Sequence, residues 1–198
     1  MPDTFPAGTD IDDPALLASP VFTNTRAWLE QAVIGLNLCP FAKAVYNKRQ
    51  IRYRISDARD TDTLFGQLCD ELQMLAAADP DEIDTTLLIH PAVLGSFIEY
   101  NDFLSVADTA VRSFGLEGVI QIASFHPQYQ FDNSLPDDIE NFTNRSPYPM
   151  LHLLREQSIE KAVDGLADAD GIVERNMETL RRLGLSGWRA LPFVAKQK

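Results

Sequence analysis

The sequence predicts an α/β fold in which a small, mainly parallel sheet of three or more strands carries helices on its faces. Two short β-branched runs, residues 85–89 and 118–125, are each followed directly by a His-Pro pair, and each is typical of a buried strand. Stretches with helical apolar spacing lie before, between and after them. Strands that alternate with helices imply right-handed crossovers and therefore strands that run the same way.

The first elements follow from local signals. Ser19 suits a helix N-cap and Pro20 suits the first helical position, so a helix is expected to begin there. Pro40 has no amide hydrogen and is expected to bend or break that helix. Residues 51–56 alternate apolar and polar side chains, which predicts a half-exposed strand at a sheet edge.

The next two elements form the predicted centre of the domain. Residues 61–78 have helical apolar spacing, and Cys69 lies on the apolar face, where a buried, inert thiol is expected. Residues 85–89 are apolar on both faces, which is typical of a central strand.

The second half of the chain is predicted to contain a helix, a strand, a long loop and two further helices. A helix after the 85–89 strand is expected to end at Gly115, a good C-terminal cap. A long irregular segment follows the 118–125 strand, and Ser146 with Pro147 then predicts another helix start. The last helix is expected to end at Gly184.

Composition limits the class of protein. Hydrophobic residues make up 45% of the 198 residues and charged residues 23%, as in a folded domain. The net charge of −12 argues against binding nucleic acid or an anionic membrane, because both would be repelled. Two cysteines do not make a disulfide framework, so a cytoplasmic protein with reduced thiols is expected. We divide the chain into an acidic, flexible lead-in (1–19), one domain (20–190) and a tail (191–198).

The three histidines are the first candidate site residues. His90 and His126 end two predicted parallel strands, so both imidazoles are expected at the carboxyl edge of the sheet, where open α/β sheets bind ligands. His152 lies four residues before Glu156 in a predicted helix, so both can face one point. These four residues are candidate ligands of a divalent metal ion such as zinc, iron or manganese. The alternative is that the strand-end histidines only hydrogen-bond loop carbonyls.

Cys39 is the second candidate. Lys43 lies four residues after it, and a nearby cation or helix N-terminus lowers the pKa of a thiol and makes it nucleophilic. Lys43 is also the first of five basic residues that lie close together in the chain and would steer an anionic substrate. They are Lys43, Lys48, Arg49, Arg52 and Arg54. The alternatives are a small core cysteine near a helix end and a charged edge strand that resists aggregation.

The third candidate is the polar stretch around residues 141–155. Arg145 beside a helix N-terminus suits a carboxylate or phosphate, and Asn144, Tyr148 and Arg155 are further candidate substrate-binding residues. The alternative is a capping network that anchors a long loop.

Four segments carry a family resemblance: 33–43 (VIGLNLCPFAK), 100–104 (YNDFL), 121–127 (QIASFHP) and 140–149 (ENFTNRSPYP). Together they make the chain, from about residue 20 to 190, resemble domain-of-unknown-function family 1415, which is found mainly in bacteria. The resemblance implies one cytoplasmic-type domain. It supplies no activity and no catalytic residues.

The sequence therefore leaves two functional classes open. The first is a small-molecule enzyme, possibly metal-assisted, that acts on an anionic substrate in a pocket at the carboxyl edge of the sheet. His90, His126, His152 and Cys39 are its candidate catalytic residues, with Arg145 and Arg155 on the anion. The alternative is a non-catalytic ligand-binding or partner-binding protein with structural histidines.

Overall fold

The computed structural model describes residues 12–164 and 171–195, and it confirms an α/β fold. One sheet has the strand order β1-β2-β4-β3. The strand bounds are as follows: β1 Ile51–Ile55, β2 Thr85–Ile89, β3 Ile120–Phe125 and β4 Met150–Arg155. The first three strands were predicted, and β2 is an interior strand as expected, with β1 at an edge.

The prediction of a mainly parallel sheet is wrong. β1 and β2 are parallel, but β4 lies between β2 and β3 and is antiparallel to both. β4 occupies the segment for which Ser146 and Pro147 predicted a helix. Its side chains alternate between the two faces of the sheet, as those of a strand do. Leu151 and Leu153 are fully buried on one face, and His152 between them faces the opposite side. The helical relation of His152 to Glu156 is therefore wrong as well.

Helices cover both faces of the sheet. The helix bounds are as follows: α1 Pro14–Leu17, α2 Pro20–Trp28, a π-helix Leu29–Ile34, α3 Ala42–Asn47, α4 Thr61–Ala77, α5 Phe97–Ser113, a 3₁₀ helix Ile139–Thr143, α6 Glu156–Asp164, α7 Ile172–Arg189 and α8 Pro192–Ala195. α1 lies in the predicted lead-in and α8 in the predicted tail. No helix of the described chain combines the length and apolar character needed to cross a membrane.

The predicted helix ends were mostly correct. The Ser19 hydroxyl accepts a hydrogen bond from the backbone N–H of Phe22, which caps α2. Gly115 has a φ of 65°, the left-handed conformation that a C-terminal glycine cap requires. Gly184 ends the first helical stretch of α7, as predicted: its φ of 64° and ψ of 170° are not helical, and a second helical stretch follows this kink and runs to Arg189.

Two hydrophobic cores lie on opposite faces of the sheet. α4 and α5 pack on one face, with Leu68 and Tyr100 at the centre of that core. α2, the π-helix and α7 pack on the other face, around Trp28, Leu180 and Trp188. The sheet is therefore the middle layer of three, and each of its faces offers a separate environment.

Two burial predictions are wrong. Arg52 of β1 is buried rather than exposed, because its Nε lies 2.8 Å from Oε2 of Glu71, a buried residue of α4. The ion pair supplies the partner that a buried charge needs. Cys69 is only partly buried at the margin of the α4–α5 core.

Candidate functional site

A cavity of about 570 Å³ lies on the sheet face that carries α2, the π-helix and α3; we call it the sheet-face cavity. Its floor is formed by all four strands, and α3, α6 and the π-helix form its walls. Most lining side chains are apolar or aromatic, and Trp28, Phe41, Ala123 and Phe125 are among them. Thr85 begins β2, so the cavity reaches the amino end of that strand and not only the carboxyl edge.

Small side chains make room for the cavity. Ala123 of β3 lies in register with His152 of β4, so one of the two central floor positions carries only a methyl group. Ala42 and Ala44 of α3 and Ala162 of α6 also line it. Interiors are normally close-packed, so a space of this size between packed elements is a candidate ligand site.

His152 is the main polar group on the floor. Its Nε2 lies 2.7 Å from the hydroxyl oxygen of Thr85, and that hydroxyl donates a 2.6 Å hydrogen bond to the carbonyl of Leu153. The ring also packs against Phe125, with the two ring centroids 6.0 Å apart. Burial lowers the pKa of His152 to about 4, so the imidazole is neutral at pH 7.

Cys39 lines the same cavity, but its predicted activation is wrong. Burial raises the pKa of its thiol, and hydrogen bonds from the backbone N–H groups of Phe41 and Ala42 only oppose that shift. Lys43 is exposed on α3 and does not line the cavity. The thiol is therefore protonated at neutral pH.

His90 and His126 lie together at the carboxyl ends of β2 and β3. Their ring centroids are 5.9 and 5.0 Å from that of Tyr100, so they lie within about 11 Å of each other. Both contact α5, on the sheet face opposite the cavity.

Main-chain groups hold these two rings. Nδ1 of His90 donates to the carbonyl of Val93, and Nε2 of His126 donates to that of Leu94. Nδ1 of His126 accepts from the N–H of Gln128. This agrees with the alternative in which strand-end histidines anchor loops.

The predicted metal ligands are not brought together. His152 lies across the sheet from His90 and His126, and Glu156 begins α6 instead of sharing a helix with His152. Across residues 12–164 and 171–195, no group of three or more His, Cys, Asp or Glu side chains is placed to hold a metal ion. The separation from His152 follows from the strand register, because His152 pairs with Leu87 and Ala123, and His90 and His126 lie three positions further along their chains, on the opposite face.

The polar segment before β4 anchors a loop. Arg145 donates to the carbonyls of Tyr129 and Pro136, and Asn144 donates to the carbonyl of Ser124. The hydroxyl of Tyr148 accepts from the side chain of Asn24 in α2. Ser146 begins no helix, so the predicted anion site at a helix N-terminus is wrong there.

Arg155 ends β4 and borders the cavity, yet its guanidinium contacts backbone. It donates to the carbonyls of Leu75 and Ala78 near the end of α4 and to that of Ile83 just before β2. These bonds satisfy carbonyls that a helix end leaves without partners. Its main contacts are therefore structural and differ from the predicted contact with an anion.

Several cavity residues were missed by the sequence analysis, namely Trp28, Thr85, Gln121, Phe125, Ser158 and Lys161. Thr85 carried a signal, since it is a hydroxyl residue at the start of a predicted buried strand. Lys161 and Ser158 depend on the course of α6, which no local pattern indicates. At this rim Ser158 donates a hydrogen bond to Asp84, and Lys161 lies exposed.

Comparison with known proteins gives one match. No curated protein and no solved structure matches the sequence. A family described as "Protein of unknown function (DUF1415)" matches residues 20–190, which is the span of the predicted domain. The chain belongs to this family.

Proposed function

We propose that this protein binds a small, mainly apolar organic molecule in the sheet-face cavity. The observation that carries the proposal is the cavity itself: its volume of about 570 Å³ falls within the roughly 300–1,000 Å³ of small-molecule sites. Its lining has the usual composition of such a site, with aromatic walls from Trp28 and Phe125 and a few polar groups, including His152 and Gln121.

The pKa shifts of His152 and Cys39 fit a binding site better than a catalytic site. A general base works best when its pKa lies near the working pH, whereas burial lowers that of His152 to about 4. A nucleophilic thiol needs a lowered pKa, whereas burial raises that of Cys39. Catalysis is the second candidate function, and what favours it is that His152 and Cys39 line one cavity.

An acidic end group on the ligand is a further part of the proposal. The support for it is Lys161, a cation on α6 at the cavity rim. A chain with a net charge of −12 otherwise repels anions, so a cation at the entrance would favour one orientation of an acidic ligand.

A cavity-filling substitution tests the proposal. Ala123→Trp places an indole beside His152 on the floor, and Ala76→Trp on the exposed side of α4 is the matched control. We expect the wild type and the control to bind benzofuran, a neutral apolar probe, in ligand-observed NMR titrations. Ala123→Trp should weaken that binding at least about tenfold, because the indole occupies the space of the probe.

The stability of the variants separates exclusion of the probe from misfolding. A folded Ala123→Trp protein, judged by urea unfolding, that binds benzofuran as tightly as the wild type would overturn the proposal. Absence of benzofuran binding to the wild type at millimolar concentration would overturn it too.

A further inference from the structure

The hydrogen bonds of Thr85 determine which nitrogen of His152 carries the proton. The Thr85 hydroxyl has one proton, and it donates that proton to the carbonyl of Leu153, which can only accept. The same hydroxyl oxygen lies 2.7 Å from Nε2 of His152, so Nε2 must be the donor in that contact. A neutral imidazole has one N–H, and Nδ1 is therefore an unprotonated acceptor.

Nδ1 of His152 is the polar atom left for a ligand. It receives no hydrogen bond from any part of the chain that the structure describes, and it is not fully buried. The His152 ring forms part of the cavity floor, opposite Ala123 of the neighbouring strand and in contact with the ring of Phe125. An acceptor at that position is satisfied only by a group that brings a proton.

We propose that the cavity selects molecules that carry an N–H or O–H donor on an apolar, ring-sized body, and that His152 Nδ1 accepts this hydrogen bond. The inference rests on the proposed function, because it names the class of ligand that the sheet-face cavity would take. Thr85 is the positioning residue, since it holds His152 in the accepting tautomer without needing to touch the ligand.

The selectivity follows from the free-energy cost of leaving a hydrogen-bond acceptor without a donor. A donor-bearing ligand replaces the water that hydrates Nδ1, whereas an isosteric ligand without a donor displaces that water and leaves Nδ1 without a partner. Aromatic side chains around the floor, Trp28 and Phe125, supply contacts that both ligands make equally. The difference in affinity between the two ligands therefore measures the hydrogen bond to His152 Nδ1 alone.

The tautomer is measured first, on the wild-type protein. In ¹⁵N-labelled protein at pH 7, we expect His152 to show a protonated Nε2 and an unprotonated Nδ1, assigned by comparison with His152→Gln. A protonated Nδ1 would overturn the inference and would leave the existence of the cavity untouched.

The ligand class is measured with indole and benzofuran, which have similar shapes and differ in that only indole has an N–H. We expect the wild type to bind indole about tenfold more tightly than benzofuran. Thr85→Val frees the imidazole to adopt either tautomer, so the preference should fall to about twofold or less, whereas Thr85→Ser keeps the hydroxyl and should keep the preference.

The outcomes separate the two proposals. If neither probe binds, or if Ala123→Trp does not weaken their binding, the proposed function fails. If both probes bind in the cavity with equal affinity, only the inference about His152 fails. Should Thr85→Val not fold, the preference of the wild type and of Thr85→Ser, together with the wild-type tautomer, still decides the question.

Discussion

Arg155→Met is expected to lower the free energy of unfolding by about 3 kcal/mol, because it removes hydrogen bonds between a cation and backbone carbonyls. The carbonyls of Leu75 and Ala78 near the end of α4 and that of Ile83 before β2 lose their donor. Methionine keeps most of the aliphatic stem, so the loss of stability measures the contribution of the guanidinium group. Urea unfolding at pH 7 measures it.

Arg155→Lys is the matched control. Lysine keeps the charge but offers one ammonium in place of a planar fork, so it should recover only part of the lost stability. If Arg155→Met unfolds at the same urea concentration as the wild type, the guanidinium does not hold α4 to the sheet. The sequence-based role of Arg155 as an anion-binding residue would then return as the better account.

A second large effect is expected from pH. Burial lowers the pKa of His90 to about 4 from its ordinary value of 6.5, so between these values the unfolded chain binds a proton that the folded chain does not. Stability therefore falls as the pH drops from about 6.5 towards 4. The contribution of His90 over that window is about 3 kcal/mol.

His90→Asn isolates this contribution. The side-chain amide of asparagine can still donate to the carbonyl of Val93, but it does not titrate. The variant is expected to be less stable than the wild type at pH 7 and to lose about 3 kcal/mol less between pH 6.5 and pH 4. If the free energy of unfolding falls equally in the two proteins between pH 6.5 and pH 4, the burial of a neutral imidazole at this position is contradicted.

Local signals predicted most of the elements. Residues 51–56 and 85–89 were predicted as strands, and β1 and β2 agree with these ranges to within one residue. The predicted helix caps at Ser19 and Gly115 are confirmed, because capping depends on residues close together in the chain.

β4 could not be predicted in the same way. Leu151, Leu153 and Leu154 leave only a weak alternation around His152, because this interior strand is covered on both faces. Ser146 and Pro147 look like a helix start, but the Ser146 hydroxyl bonds the carbonyl of Tyr148 instead. Insertion between β2 and β3 is decided by long-range pairing, which no short window contains.

The candidate site was predicted only in part. His152 and Cys39 do line one cavity, but the other two histidines lie across the sheet from it. The error follows from the register of β4: His152 pairs with Leu87 and Ala123, and His90 and His126 lie three positions beyond these partners, so they face the opposite side. In a helix His152 and Glu156 would have been neighbours, whereas four residues of extended chain span about 13 Å. The cavity itself is a gap between elements, and a sequence pattern does not report empty space.

A crystal soaked with 5-bromoindole would show whether the sheet-face cavity binds a ligand, because the anomalous signal of bromine locates the ligand without interpretation of weak density. We expect a bromine peak inside the sheet-face cavity, among Trp28, Ala123 and Phe125. We also expect the indole nitrogen to lie about 3 Å from Nδ1 of His152. Bromine peaks found only outside the cavity, or none at a saturating concentration, would contradict the claim that this cavity is a ligand site.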